Sequence, residues 1–275
     1  MARCDGRRTG GDDPARPTPT RQPSGTGGDE EERMTTTDTV VPRRDRLRAA
    51  TEAEIRATAR RLLVAEQGQP PTLRGIAREM GMTAPGLYRY YASLDDLLLA
   101  LCDDLFGEVH GVVTASLDAH GDDLGARMLA AVRTFRRWAL DHPAEFGLMF
   151  RSGDGLWADP DDGCEQSRRF AGLFLELFVG LWEARPFPLP DLHGGVAASC
   201  GQLAAFARGA GVDLPEPALW VFANSWVRLY GVVCMEALGH LRFMFTDVGP
   251  YFEAELEQVA RSIGVAYAPP AAAQG

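Results

Sequence analysis

Lysine is absent from this sequence of 275 residues; all 28 basic residues are arginine. That uniformity reads as the codon bias of a GC-rich genome rather than as a functional device. Disulfide and metal patterns are missing as well. The five cysteines (Cys4, Cys102, Cys164, Cys200, Cys234) are odd in number, lie far apart and form no C-x-x-C pair. Such spacing argues against a disulfide framework and a zinc site, and fits a reducing cytoplasm. The five histidines are equally scattered, without H-E-x-x-H or a similar ligand spacing, so no metal or other cofactor is expected. No run of about 18 uninterrupted apolar residues occurs, so no membrane span is expected. The N-terminal arginines have no apolar segment behind them, which argues against a secretory signal. Nothing alternates with period two, so strands are not expected either.

What is present is an ordinary globular composition, 45% hydrophobic and 24% charged, able to bury a core. The net charge of −10 disfavours a polyanionic partner at first sight, but the charges are unevenly placed. Residues 1–46 balance nine Arg against nine acids. Residues 47–93 carry seven Arg against four acids, net +3, whereas residues 94–275 carry twelve Arg against twenty-five acids, net −13. A basic front joins an acidic body.

Residues 1–33 are rich in Gly, Pro, Arg and Asp and nearly free of apolar side chains. Such a segment cannot bury enough surface to offset the entropy of ordering, so a disordered arm is expected over residues 1–40. Met34 opens a more ordinary stretch and is a second candidate initiator. From there the period is helical. Ile55, Ala59, Leu62 and Leu63 form the stripe of a first helix that stops near Gly68, Pro70 and Pro71. Thr72 is placed to cap a second helix bearing Leu73, Ile76, Ala77 and Met80 and closed by Gly81. Thr83 is placed to cap a third, with Pro85 in its first turn. Ser93 is placed to cap a fourth, whose stripe is Leu94, Leu97, Leu98, Leu101 and Leu105, and whose Asp95 and Asp96 suit its positive end. Further helices are expected near 122–141, 143–150, 164–184, 191–208, 215–240 and 248–263. The fold class is all-α: a helix-turn-helix domain over 41–93, a larger helical domain over 94–266, and a disordered tail over 267–275.

Helix, tight glycine turn, short helix is the arrangement that lays the start of its second helix against base edges in a DNA major groove. With Leu87 and Tyr91 one turn apart and facing inward, Tyr88, Arg89 and Ala84-Pro85-Gly86 point outward. Tyrosine hydroxyls donate to phosphates without adding charge, small residues let backbone N–H groups come close, and Arg89 can fork to a guanine edge. The run TLRGIAREMGMTAPGLYRYYASLDDLL closely resembles the DNA-binding domain of the TetR family of bacterial transcriptional regulators, with I-A-x-E-x-G, L-Y-x-Y-Y and S-x-D-D-L in order. The resemblance implies that Arg74, Ala84, Pro85 and Arg89 face bases, and that Thr72, Thr83, Gly86, Tyr88 and Tyr90 lie near phosphates or caps. One departure is Leu94, where the family commonly carries Lys or Arg; losing that phosphate contact makes the salt dependence shallower by about one unit.

The acidic body resembles, more weakly, the ligand-binding and dimerisation domain of a TetR subfamily named for a Trp-His-Gly motif. Here the run is SWVRLYGVVCMEALGHL, with Trp226, Tyr230 and Gly231, so tyrosine replaces the histidine. Leu219, Phe222, Trp226, Leu229 and Val233, with Phe252, Leu256 and Val259 on the last helix, look like the pair that builds a dimer interface in this family. The same residues also suit packing within one chain. Phe135, Trp138, Phe146, Met149, Phe150, Phe174, Phe178 and Trp182 are candidate lining of a pocket for a hydrophobic or aromatic effector. Residues 151–163 form an acidic loop at its expected entrance. Glu236 and His240, at i and i+4, are expected to pair structurally and not to catalyse. The resemblance implies a homodimeric, ligand-released repressor on a palindromic double-stranded DNA operator, and no enzyme. The alternative is a helical small-molecule-binding protein with weak or vestigial DNA binding.

Overall fold

A computed structural model describes residues 42–150 and 165–270. Among them the regular structure is helical throughout, as the periodicity requires. The helices are α1 (Arg43–Ala65), α2 (Leu73–Glu79), α3 (Ala84–Leu87), α4 (Leu94–Leu117), α5 (Leu124–Asp141), α6 (Pro143–Met149), α7 (Glu165–Ala184), α8 (Gly195–Gly209), α9 (Glu216–Ala237) and α10 (Gly249–Ser262). The expected arm over 1–40 and the loop over 151–163 lie outside the described residues.

The first three helices form a small head around Ile55, Ala59, Leu63, Ile76, Ala77, Leu87 and Tyr91, all buried. Local chemistry sets its turns. Thr72 Oγ1 accepts from Gly75 N at 3.0 Å, Thr83 Oγ1 from Gly86 N at 3.2 Å, and Ser93 Oγ from Asp96 N at 3.0 Å, each satisfying an orphan donor of the helix it opens. Thr72-Leu-Arg-Gly75 and Thr83-Ala-Pro-Gly86 are the same device used twice. A Cβ on Gly75 or Gly86 would come within 3.2 or 3.1 Å of the capping hydroxyl. Between them, Gly81 at φ +65° ends α2 with Gly81 N donating to Arg78 O and Met82 N to Ala77 O.

The body is built on α4, which packs against both α5 and α7, while α9 packs on α5, α8 and α10. A chain of rings (Phe106, Phe135, Phe146, Phe150, Phe170, Phe174) joins α4, α5, α6 and α7 with centroids 4.6–6.3 Å apart. α9 is long and apolar enough to cross a membrane by length and composition. It also carries Arg228 and Glu236 in ion pairs to Glu255 and Arg136, and its apolar side faces the body.

The start of the expected tail makes contacts with the body: Tyr267 OH donates to Glu253 at 2.9 Å, and Arg133 donates to Ala268 O at 2.7 Å; residues 271–275 lie outside the described residues. Glu236 does not pair with His240. Arg136 holds Glu236 in a fork at 2.7 and 2.6 Å, and α9 stops before His240, because Gly239 turns the chain at φ +74°. The third helix is short. Regular α-geometry ends at Leu87, and Arg89 N and Tyr90 N then bond three residues back, to Gly86 O and Leu87 O, in a tighter turn.

Candidate nucleic-acid interface and apolar pocket

The head divides its arginines into two groups. Arg56, Arg60 and Arg61 are held in ion pairs with acids of the chain. Among the described residues, Arg74, Arg78 and Arg89 are exposed and make no side-chain hydrogen bond or ion pair. Together with Arg43, Arg44 and Arg46 at the start of α1, likewise exposed and unpaired among the described residues, they carry the positive charge left for a polyanion. Tyr88 stands beside Arg89 with 55% of its surface exposed, and Thr72, Thr83 and Pro85 are exposed at the two helix starts. Ala84 and Gly86 are half-buried at the start of α3, where small side chains leave the backbone approachable.

Tyr90 is placed differently from the rest. Its ring is half-buried, with the Arg48 guanidinium 5.5 Å from its centroid. Arg48 also donates to Arg89 O at 3.3 Å and pairs with Glu52 at 2.8 Å. It thus ties α1 to the backbone of the turn that presents Arg89. The sequence reading missed this residue because Arg48 and Glu52 look like an ordinary i, i+4 surface pair.

A polar ladder joins head to body. Arg56 and Arg60, one turn apart on α1, face Asp104 and Glu108, one turn apart on α4. Arg56 also donates to Tyr91 OH at 3.0 Å, which places the end of the turn after α3 on the first rung. On the second rung Arg60 holds Glu108 bidentately at 2.6 and 3.2 Å and Glu145, on α6, at 3.1 Å. Trp138 of α5 donates its indole N–H to the same Glu108 carboxylate at 3.1 Å, and His142 stacks on the indole 4.8 Å away. Burial pushes the Glu108 carboxyl up, but the bonds from Arg60 and Trp138 outweigh it and hold it below the ordinary range.

One turn before Trp138 on the same helix, Phe135 faces an almost wholly apolar pocket between α5, α7, α9 and α10. Its cavity volume is about 60 Å³. Of the expected lining residues, Phe135, Phe174 and Phe178 are there. Phe146 and Met149 are enclosed in the core, and Phe150 packs on Phe106 and Tyr230. Trp138 belongs to the ladder, and Trp182 packs on Phe187 5.0 Å away. Six more wall residues are ones expected at a dimer interface: Phe222, Trp226, Leu229, Val233, Leu256 and Val259. Leu219 and Phe252 are buried in the chain's own core. Leu229, Val233, Leu256 and Val259 are buried within their own chain, whereas Phe222 and Trp226 are half-buried; the exposed apolar side chains of α9 are others. They lie on and just beyond the other side of α9, where Val227 is 67% exposed, Met235 and Leu238 are also exposed, and nothing approaches Gly231. The polar groups in the pocket are Ser225 and Tyr230. Burial, helped by contact with Cys234, raises the Tyr230 phenol far above its ordinary value, so it stays protonated.

A glycine-turned helix pair presenting uncommitted arginines, joined to a larger helical body, is the arrangement of a helix-turn-helix regulator. Residues 55–101 match the family described as bacterial regulatory proteins, tetR family, and residues 128–259 match the tetracyclin repressor-like C-terminal domain. The chain is 34% identical over 219 residues to the HTH-type transcriptional regulators Rv1816 of Mycobacterium tuberculosis (strain ATCC 25618 / H37Rv) and Mb1846 of Mycobacterium bovis (strain ATCC BAA-935 / AF2122/97). Each match covers 78% of this chain and 93% of the relative. The crystal structure of SCO4313, described as a regulatory protein, superimposes with a TM-score of 0.61 at 28% identity, covering 80% of this chain and 98% of that one. RolR, solved with resorcinol, shares the fold at a TM-score of 0.53 and 17% identity, over 82% of this chain and 97% of its own. The chain belongs to the TetR family and is a transcriptional regulator.

Proposed function

We propose that this regulator is a homodimeric repressor, released from a palindromic operator by a small apolar or aromatic effector. Arg74, Ala84, Pro85 and Arg89 read bases; Thr72, Thr83, Gly86 and Tyr88 meet phosphates, with Tyr90 beneath Arg48. Two such heads on a two-fold axis reach half-sites about 34 Å apart. The partner is a second copy of the chain, seated on the exposed side of α9 around Val227, Gly231 and Met235.

The observation that carries this reading is the shared use of α5. Phe135 bounds the pocket, and Trp138, one turn on, anchors the Glu108 carboxylate that grips Arg60 of the head. A cavity of about 60 Å³ is smaller than the roughly 150 Å³ at which an apolar cavity admits benzene. An aromatic effector must therefore push the pocket walls apart, and its binding favours a state in which α5 has moved. That differential affinity, on the order of 1–3 kcal/mol, is what release requires. The nearly apolar wall selects a neutral body, with Ser225 and Tyr230 able to meet a single hydroxyl or carbonyl.

The test is selection of genomic DNA fragments by the purified protein from Met34 onward, at two salt concentrations. Enrichment of a palindrome at both salts supports the repressor. Salt-sensitive retention without a motif would favour a ligand-binding protein with weak DNA contact, which the loss of a cation at Leu94 would suit.

A further inference from the structure

A second cavity, of about 710 Å³, lies between α4, α5 and α7, on a side of the body that the apolar pocket does not use. Its wall is of another chemistry. Leu117, Leu124, Leu173 and Leu177 make an apolar floor, and three arginines face two glutamates around it. One of those glutamates, Glu165, is already paired with Arg169. Arg127, in the first turns of α5, is the decisive group. Its Nε is buried and has no hydrogen-bond partner, the sole such side-chain atom among the described residues. Buried donors are almost always bonded, and an exception needs an explanation. A guanidinium is charged at any working pH and presents a planar fork that fits carboxylate and phosphate oxygens.

We infer that this groove is an anion site: Arg127 receives the acid group of an organic carboxylate or phosphate ester whose apolar body lies on the leucine floor. The volume falls within the range of about 300–1,000 Å³ common for small-molecule sites. His110 and Thr114, one turn apart on α4, supply further polar groups at the rim. They stand roughly 24–30 Å along α4 from its DNA-proximal end, at about 1.5 Å per residue. The regulator then holds two chemically distinct sites, one for a neutral apolar molecule and one for an anion.

The test uses the full chain, calorimetric titration and three probes: 2-naphthoate, 1-naphthyl phosphate and 2-naphthol. Wild type is expected to bind at least one of the two acids saturably, and the acid that binds tells which head group the site takes. Arg127→Gln is expected to weaken that binding at least tenfold and Arg127→Lys to weaken it less, while any uptake of naphthol, which lacks the acid, stays unchanged. Melting curves establish that both variants fold; Arg127 is half-buried and its side chain makes no hydrogen bond or ion pair within the chain, so replacing it should not lower the melting temperature. The site is refuted if neither acid binds wild type at millimolar concentration. It is equally refuted if either variant loses the acids and naphthol in parallel, or if Arg127→Gln binds the acids within twofold of wild type.

Discussion

Replacing Glu108 with glutamine is a direct test of the ladder between head and body. The substitution keeps the shape and leaves a carbonyl oxygen to accept from Trp138, but removes the charge opposite Arg60 and turns the second acceptor oxygen into an NH2 donor. The Arg60 and Glu108 side chains are 31% and 35% exposed, between a screened surface pair and an enclosed one. Surface pairs contribute about 0–1 kcal/mol, and breaking an enclosed one costs about 3–5 kcal/mol. Arg60 keeps Glu145 and partial access to water, so the expected loss is about 1–2 kcal/mol at pH 7. The pH dependence carries the sign. The folded Glu108 carboxyl lies below its ordinary value of 4.5, so the unfolded chain takes up the proton first as the solution is acidified. Its contribution is therefore present above the ordinary carboxylate range and is lost as pH falls through the folded value. Urea unfolding of wild type and Glu108→Gln, at matched protein concentration and several pH values, measures the difference. It should be largest near neutrality and shrink in acid. Equal midpoints at pH 7, or a difference that persists unchanged below the folded value, would refute the account.

Other expectations follow from single positions. Arg89→Ala should relax choice at one base position by about 1–3 kcal/mol, whereas Tyr88→Phe should weaken all sequences alike; binding to a panel of single-base operator variants separates the two. Equal loss on every sequence for Arg89→Ala would reassign that residue to phosphate. Gly81→Ala should cost about 1–2 kcal/mol, because φ +65° is strained for any residue with a Cβ, and it should lower the melting temperature. Thr83→Ala removes the cap of α3 and should cost about 1 kcal/mol, with DNA affinity falling as the Arg89 turn loosens. Phe174→Ala, in the ring chain and the pocket wall, should cost about 3–5 kcal/mol in urea unfolding while leaving room for a larger apolar ligand.

Much of the head could be read directly from the chain, because its determinants are local. Caps at Thr72, Thr83 and Ser93, the glycine turn at Gly81 and the inward pair Leu87 and Tyr91 act over three to five residues, within reach of a pattern. Helix positions in the body followed from period and punctuation in the same way. What the pattern could not say is which apolar face meets which. Leu229 and Val233 carry the same stripe whether they line a pocket in their own chain or meet a second chain, since hydrophobic burial has no direction of its own. Only the packing of α9 on α5 and α10 decided that those residues enclose a cavity and that Val227 and Met235 remain outside. Charge behaves likewise. The sequence counts Arg60, Arg89 and Arg127 as equals, because formal charge ignores surroundings. The tertiary structure separates them: one is held by Glu108 and Glu145, one is exposed toward solvent, and one has a buried nitrogen without a partner. Contacts between residues far apart in the chain set those differences, and no local pattern encodes them.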